Sequence, residues 1–592
     1  MYQKAFYKDH NYLNTAIKKA LGSEKADLAV KNISILDVFT GKFRKGDVAV
    51  HGEHIVGTYE SYEGIKELDG NQLYLVPGFI DSHVHIESSL MTPDGYEQSV
   101  LKLGTTTAIW DPHEIANVKG IDGIKWAIDS SEHLLMDLFI MLPSCVPSTP
   151  TTAGLESGGA QIFAKDLQAF ASHPRVLGLA EMMNYPGLLG GDRDVHEKLM
   201  MFQGGPRDGH CPGLTGHQLN GYAAAGIHSC HESVTKEEAL EKLSKGIHTL
   251  VREGSCAKNA HTLLPLINSY TSAVMALCSD DRNPADISHE GHIDFIINLG
   301  LKLGLKPEDI FRVASYGPAK MYGLNDRGAI APGYLADFCL IKKRTDDWAD
   351  GFDICHVVKS GKLVDSQTTR QTTTMIPGEN NIQTADINKN SFNISAPPHH
   401  KQSTNVHVIG VQENQIVTLA KQATLKIFEN SVLPDTGQDI LKIAVIERHK
   451  ATGNIGKGFV HGFQIKCGAI ATSINHDSHN IIVVGSDDES MYQAVQKLKE
   501  IDGGIVVWKD EKTFETLPLP IGGLMTDDQP ANVATKLDSL KNLAKSIGCK
   551  FHEPFLQLSF LALPVIPKLK ITDQGLVDVD QFKVISIFTS VE

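Results

Sequence analysis

Between residues 76 and 324 the chain alternates short apolar runs with helical patterns, and this repeat constrains the fold more than any other feature. Candidate strands lie at 75–80, 106–110, 138–142, 176–181, 206–210, 226–231, 246–252 and 273–280. About eight strand–helix units in about 250 residues match a closed (β/α)8 barrel of the TIM type. The fifth candidate is the poorest strand, because FQGGPRDGH is rich in Gly and Pro. One helix is well marked. Thr235 opens a Thr-x-x-Glu capping box with Glu238, Ala239, Leu240 and Leu243 follow at helical spacing, and Gly246 stops it.

At 592 residues the chain exceeds one core, so two to four domains are expected. Residues 28–75 and 330–365 share a texture of alternating apolar runs broken by Gly or charged turns, which predicts a small β-sandwich. The expected division is 1–75 plus 325–365 for the sandwich and 76–324 for the barrel. Residues 366–405 are polar and rich in Thr, Asn and Pro, and read as a linker. Residues 406–592 form a further α/β or α+β domain, with strand-like KIAVIER, GFVHGFQI, NIIVVGS and GGIVVWK and a helical MYQAVQKLKEI. There is no internal repeat.

The chemistry starts where the first barrel run ends, in PGFIDSHVHI. Side chains two apart on a strand point the same way, so His83 and His85 can aim at one point above the barrel. Barrel enzymes place their functional groups at that end of the strands. Further ligand types close later candidate strands: Glu181, His210, His231 and Asp280. Four histidines and two carboxylates are enough for two divalent ions, with Glu181 placed to bridge them. Two adjacent ions lower the pKa of a shared water and polarise the group attacked. Asp280 is the expected general base and then acid. His228 competes with His231, but three positions apart on a strand they face opposite ways, which favours His231. Asp281 competes with Asp280, and one of the two is expected to face inward. His217 falls in a helical stretch and reads as exposed.

A second constellation, Trp110-Asp111-Pro112-His113-Glu114, follows the second strand, where Pro112 turns His113 and Glu114 over the pocket. Glu114 there could protonate a ring nitrogen; a loop ion pair is the competing reading. Asn184, Tyr185 and Pro186 are placed to shape the pocket and Arg282 to anchor the loop after Asp280. In the last domain, Asn475-His476-Asp477-Ser478-His479-Asn480 looks metal-like but reads as a turn before a strand. No Gly-rich segment fits a Walker loop or a dinucleotide fingerprint.

The net charge of −15 repels phosphate backbones and makes nucleic acid a poor partner. The nine cysteines include no Cys-x-x-Cys, which argues against a disulfide framework, a four-cysteine zinc site and the His-x-Glu/Cys-x-x-Cys nucleobase deaminases. The first residues have no apolar core of a secretory signal, and no run of about 18 apolar residues predicts a membrane span. A reducing cytoplasm is the default expectation.

These segments resemble the bacterial adenine deaminase family of the amidohydrolase superfamily. The similarity runs through VPGFIDSHVHIESS, WDPHEIANV, EMMNYPG, DGHCPGL, CHE and SDDRNPADI, the flanking sandwich pieces, and HDSHNIIVVG and LPLPIGGLM in the last domain. His-x-His alone places the chain in the superfamily; DPHEIANV, SDDRNP and the last domain narrow the resemblance. It implies hydrolysis of adenine to hypoxanthine and ammonia, in purine salvage, by a cytosolic homodimer. It implies two divalent ions, with manganese or iron usual; zinc fits the same ligand types. Position by position, His83 and His85 match the first-strand ligands, Glu181 the fourth-strand metal carboxylate, His210 and His231 the later histidines, Asp280 the catalytic aspartate at the metals, and Glu114 a residue near the purine ring. The nearest alternative is another binuclear amidohydrolase acting on a cyclic amide or aminated heterocycle. A non-catalytic binding protein on a decayed barrel is disfavoured, because all six ligand candidates are present.

Overall fold

The structure, a computed structural model, describes residues 9–150, 153–365, 380–398 and 400–589. Its centre is a TIM-type α/β barrel. Five parallel strands form one arc: Phe79–Val84, Thr105–Trp110, Asp137–Leu142, Val176–Met182 and Arg207–Gly209, each paired with the next. Three more, Ser229–Cys230, His248–Arg252 and Met275–Cys278, form the second arc. These are numbered here as the first to eighth barrel strands. The arcs meet at both seams. His228 N donates to Arg207 O at 3.1 Å between the fifth and sixth strands. Asp280 N donates to His83 O at 3.0 Å, and His85 N to Asp280 O at 3.2 Å, just beyond the eighth and first.

The first strand differs from the sequence expectation. The run expected at 75–80 is cut at Gly78. Tyr74–Pro77 belongs to an outer sheet, and the barrel strand starts at Phe79. A Cβ on Gly78 would lie 2.3 Å from Thr106 Oγ1, so only glycine lets the chain pass there between the two sheets. The fifth strand is three residues long and the sixth two, shorter than expected. The marked helix forms at Lys236–Ser244, with Thr235 Oγ1 accepting from Glu238 N at 3.2 Å. The Glu238 carboxylate does not close the box on Thr235. It accepts instead from Val234 N, at 3.1 Å, and from Gly213 N, at 2.9 Å. Of the expected apolar face Ala239 is buried, but Leu240 is 49% exposed, and Lys242 takes the buried position beside Ala239.

The outer sheet has eight strands and draws on both flanks of the barrel: Ala26–Asp37 through Tyr74–Pro77 on one side, Phe338–Lys343 through Lys362–Leu363 on the other. Tyr74–Pro77 joins them, antiparallel to Phe338–Lys343 and parallel to Ala26–Asp37. A buried ion cluster ties this sheet to the barrel. Asp137, the first residue of the third barrel strand, accepts from Lys359 Nζ and Arg327 Nη1, each at 2.7 Å, and Lys359 also reaches Asp337 at 2.7 Å.

The last part of the chain builds a nine-stranded sheet in which Ile455–His461, Ile440–Ile446, Ile481–Gly485, Ala469–Thr472 and Gly504–Asp510 lie side by side. The helix Asp488–Glu500 is capped by Asp487 and buries Met491, Ala494, Val495 and Leu498, the i, i+3, i+4, i+7 stripe of an amphipathic helix. Of the linker expected at 366–405, residues 366–379 and 399 lie outside the described residues. Its later part is packed rather than free. Phe392 and Ile394 are buried in the cores of this sheet, and Asn381 Nδ2 donates to Asp502 at 2.9 Å. Ile382 and Ile387 also pack against this core, and Ala396 is buried beside Ile394. Among the described residues no helix is long and apolar enough to cross a membrane.

Breaking a buried ion cluster by neutralising its anion leaves the cations uncompensated. Asp137→Asn is therefore expected to cost about 3 kcal/mol, read as a lower unfolding temperature in calorimetry.

Candidate metal centre at the barrel mouth

The strand ends bring His83, His85, Glu181, His210, His231 and Asp280 into one buried cluster. Parallel strands end at a common rim, and one or two residues past each strand are enough to reach its middle. His83 and Glu181 lie within the first and fourth strands, His85, His210 and His231 follow directly on theirs, and Asp280 comes two residues after the eighth. The Glu181 carboxylate is divided between two histidine pairs. Its Oε1 lies 3.3 Å from His85 Nε2 and 3.9 Å from His83 Nε2. Its Oε2 lies 2.7 Å from His210 Nδ1 and 3.1 Å from His231 Nε2. Asp280 Oδ1 closes the first group, 3.4 Å from His85 and 3.8 Å from His83.

Asp280 holds a left-handed backbone, φ +53°, which aspartate tolerates better than most residues. Its two backbone hydrogen bonds to the first strand fix that conformation. Its other oxygen, Oδ2, accepts from Arg252 Nη1 at 2.9 Å, and the same guanidinium clamps Glu232 with both nitrogens. Burial alone would lift the Asp280 carboxyl; the charges of His231 and Arg252 hold it well below the usual carboxylate range. Burial disfavours charge on His85, but its hydrogen bond to Glu181 together with the charges of Asp281 and Glu181 raises the imidazole well above its ordinary value. Burial likewise opposes charge on His231, and Glu181 brings it up to about 9. The carboxylates thus make the cluster attract positive charge.

The donor set fits divalent cations. His83 Nε2 and His85 Nε2 converge to 3.1 Å. His83, His85 and Asp280 offer one set of converging ligand atoms, and His83, Glu181 and His231 a second that shares His83. A third set, His210, His231 and Glu232, extends the second. His210 Nε2 and His231 Nδ1 are buried without a hydrogen-bond partner. Imidazole and carboxylate suit Zn, Fe and Mn alike.

His228 lies away from this cluster, at the opposite end of the sixth strand, with Nδ1 3.8 Å from Asp208. His217 is exposed in the helix Gly216–Ala224. Asp281 differs from the expectation that one aspartate alone faces inward. It lines the same cavity as Asp280 on the side of the last domain, where it accepts from Ser88 Oγ at 2.5 Å and converges with Glu114 and His476. Arg282 anchors its loop through Gly291 O, Glu253 O and Glu290. Asn184 caps the helix Tyr185–Gly190 and lines a separate cavity beside Lys198.

The main departure from the sequence reading is the segment 475–480. It is no surface turn. All six residues are buried, and the segment reaches over the barrel mouth. Asp477 Oδ1 lies 3.6 Å from His113 Nε2, His476 Nδ1 lies 3.5 Å from Glu114 Oε1, and Asn117 Nδ2 donates to Ser478 O at 2.9 Å. Phe560 stacks on His476 at 4.4 Å. Glu114 therefore sits between the domains, with both carboxylate oxygens buried and without hydrogen bonds. Burial pushes its carboxyl up to about 8; His476 opposes the rise and Glu87 adds to it. Glu232 and Arg252 were not singled out from the sequence, whereas His113 was expected over the pocket and Asp477 lies in the segment that looked metal-like.

Comparison with known proteins decides the family. Residues 415–583 match the adenine deaminase C-terminal domain, and residues 74–364 the amidohydrolase family. A protein of Brucella anthropi named adenine deaminase is 45% identical over 574 residues, 96% of this chain and 99% of its own length. The chain belongs to the adenine deaminase family. Adenine deaminases of Brucella abortus and Sinorhizobium fredii are each 44% identical, covering 96% and 97% of this chain and 96% and 99% of their own. In this family member the amidohydrolase match spans the whole barrel, and the C-terminal match takes in the His476 segment that closes its mouth.

Arg252 is the cation that balances Asp280 and Glu232. In the metal-free protein Arg252→Gln is expected to lower the unfolding temperature by several degrees, because two buried carboxylates lose their partner. A saturating divalent ion is expected to recover part of that loss, read by calorimetry with and without chelator.

Proposed function

We propose that this protein hydrolyses adenine to hypoxanthine and ammonia at the barrel mouth. The observation that carries the reading is the position of Glu114. A buried carboxyl pushed up to about 8 converges with Asp281 and His476, which line the same cavity as the ionised Asp280. Two carboxyl groups with such separated affinities for protons supply an acid and a base at neutral pH.

His83, His85, Glu181, His210, His231 and Asp280 would hold two divalent ions, manganese by preference, with iron or zinc fitting the same donors. Such ions acidify water and polarise the group under attack. Asp280, held ionised by His231 and Arg252, takes a proton from the attacking water. It delivers that proton to the exocyclic amine, which leaves as ammonia. Glu114, neutral in its buried setting, donates its proton to a ring nitrogen as the attacked carbon becomes tetrahedral, and the remaining water proton, released as the product carbonyl forms, restores it. His476, Asp477 and Phe560 keep solvent from this pair. The cavity lined by Asp280, His476, Asp477 and Phe560 is about 20 Å3, room for about one water, so a purine enters only when the covering segments shift.

The reading extends to the whole chain: 1–75 with 325–365 as the small β domain built on the eight-stranded outer sheet, 76–324 as the barrel, 366–405 as a connection, and 406–592 as the domain that covers the site. A purine-salvage role in the cytoplasm, as a homodimer, fits this chemistry. The acidic surface gives no support for a nucleic-acid partner.

The test is an adenine assay on protein reconstituted with manganese, following ammonia release before and after chelation. Turnover abolished by chelation is expected; no turnover on adenine with metal bound rejects the substrate. Asp280→Asn is expected to lower kcat at least about 100-fold, the scale of general acid–base catalysis. The acid form of Glu114 is the active one, so kcat is expected to fall as pH rises through about 8. Glu114→Gln is expected to remove that alkaline limb along with most of the rate, measured as a pH profile of kcat.

A further inference from the structure

We infer that the opposite, N-terminal face of the barrel carries a second ligand site, for a phosphate-bearing anion. A cavity of about 490 Å3 opens there. It is framed by the starts of the fourth and fifth strands, the turn before the sixth, and the end of the helix Tyr316–Met321. This volume lies within the range of small-ligand pockets. Substrates of such barrels bind at the other end, so this cavity is not part of the mouth.

Three basic side chains line it: Arg207, His228 and Lys320. Arg207 is half-buried and makes no ion pair among the described residues. Its Nη1 donates to Ala225 O at 3.3 Å, while its Nε is buried without a hydrogen-bond partner. The guanidinium lies flat against Gly226. A Cβ there would come within 2.4 Å of Nη2, and the glycine holds φ +87°. Lys320 Nζ donates to Asn325 at 2.9 Å and pairs with no carboxylate among the described residues. His228 keeps a buried Nε2 without a partner. The one carboxylate near them is Asp208, 3.8 Å from His228 Nδ1. It is turned inward, where Ser229 Oγ and Tyr322 OH donate to it at 2.6 and 2.9 Å. It leaves Arg207 and Lys320 uncompensated.

A guanidinium fork beside an ammonium matches a phosphate group better than a neutral ligand. The flanking Gly204, Gly205, Gly226 and Gly323 carry no side chains, which leaves space for the organic part of a phosphate ester. The two ends of the barrel are joined by the fifth strand. Arg207 begins it and His210 follows it, three residues and about 10 Å apart.

The test is calorimetric titration of the full chain, metal-loaded and in phosphate-free buffer, with ribose 5-phosphate, inorganic phosphate and ribose. Saturable binding of ribose 5-phosphate is expected, tighter than inorganic phosphate and weakened by added salt, with no binding of ribose. Arg207→Gln is expected to weaken it at least tenfold, and Lys320→Gln, at an exposed position that the fold tolerates, at least threefold. No saturable binding of either phosphate overturns the site. So does phosphate binding that is unchanged in Lys320→Gln and Arg207→Gln, which would place the anion elsewhere, at the metal centre for example. Neither outcome bears on turnover of adenine at the mouth.

Discussion

Glu181 is buried at the end of the fourth strand, with one carboxylate oxygen 2.7 Å from His210 and the other 3.3 Å from His85. A single carboxylate thereby serves two histidine pairs, one from the first strand and one from the ends of the fifth and sixth. Without it, the four buried imidazoles would keep only Asp280 and Glu232 as nearby counter-charges, both already held by Arg252. Burial and the neighbouring His231 and His85 hold His83 well below its ordinary value. The rest of the site follows from that one bridge. It requires the barrel to close, so that the first and fourth strands end at the same height. It also requires Asp280 to bend back from the eighth strand in a left-handed conformation.

Much of this was legible in the sequence because it depends on local order. His83 and His85 share a face by the two-residue repeat of a strand, and each later ligand follows an apolar run. What local order could not give was the start of the first strand. An unbroken apolar run conceals that Tyr74–Pro77 and Phe79–Val84 serve different sheets, a division that depends on the contact between Gly78 and Thr106. Leu240 misled for a related reason. Its spacing is right for a buried face, but the aliphatic stem of Lys242 fills that place, while its ammonium reaches Glu238 at 2.9 Å and Glu232 O at 3.2 Å.

The segment 475–480 was the least legible. Asn, His, Asp and Ser in sequence are turn formers, and nothing in their spacing says that a barrel mouth lies above them. Their burial is purely tertiary, set by Asn117, His113 and Glu114 more than 350 residues earlier. That contact also gives the last domain a physical role. It removes water from Glu114, which keeps the carboxyl neutral, while His231 and Arg252 keep Asp280 charged. The acid and the base differ because one faces a neighbouring domain and the other faces cations of its own barrel.

The central claim, that Glu181 joins two cation sites, is tested most directly by anomalous X-ray diffraction from crystals of the manganese-loaded protein. The account predicts two anomalous peaks flanking Glu181, one beside His83, His85 and Asp280, the other beside His210 and His231. A single peak, or two peaks of which neither lies within ligand distance of Glu181, would contradict it.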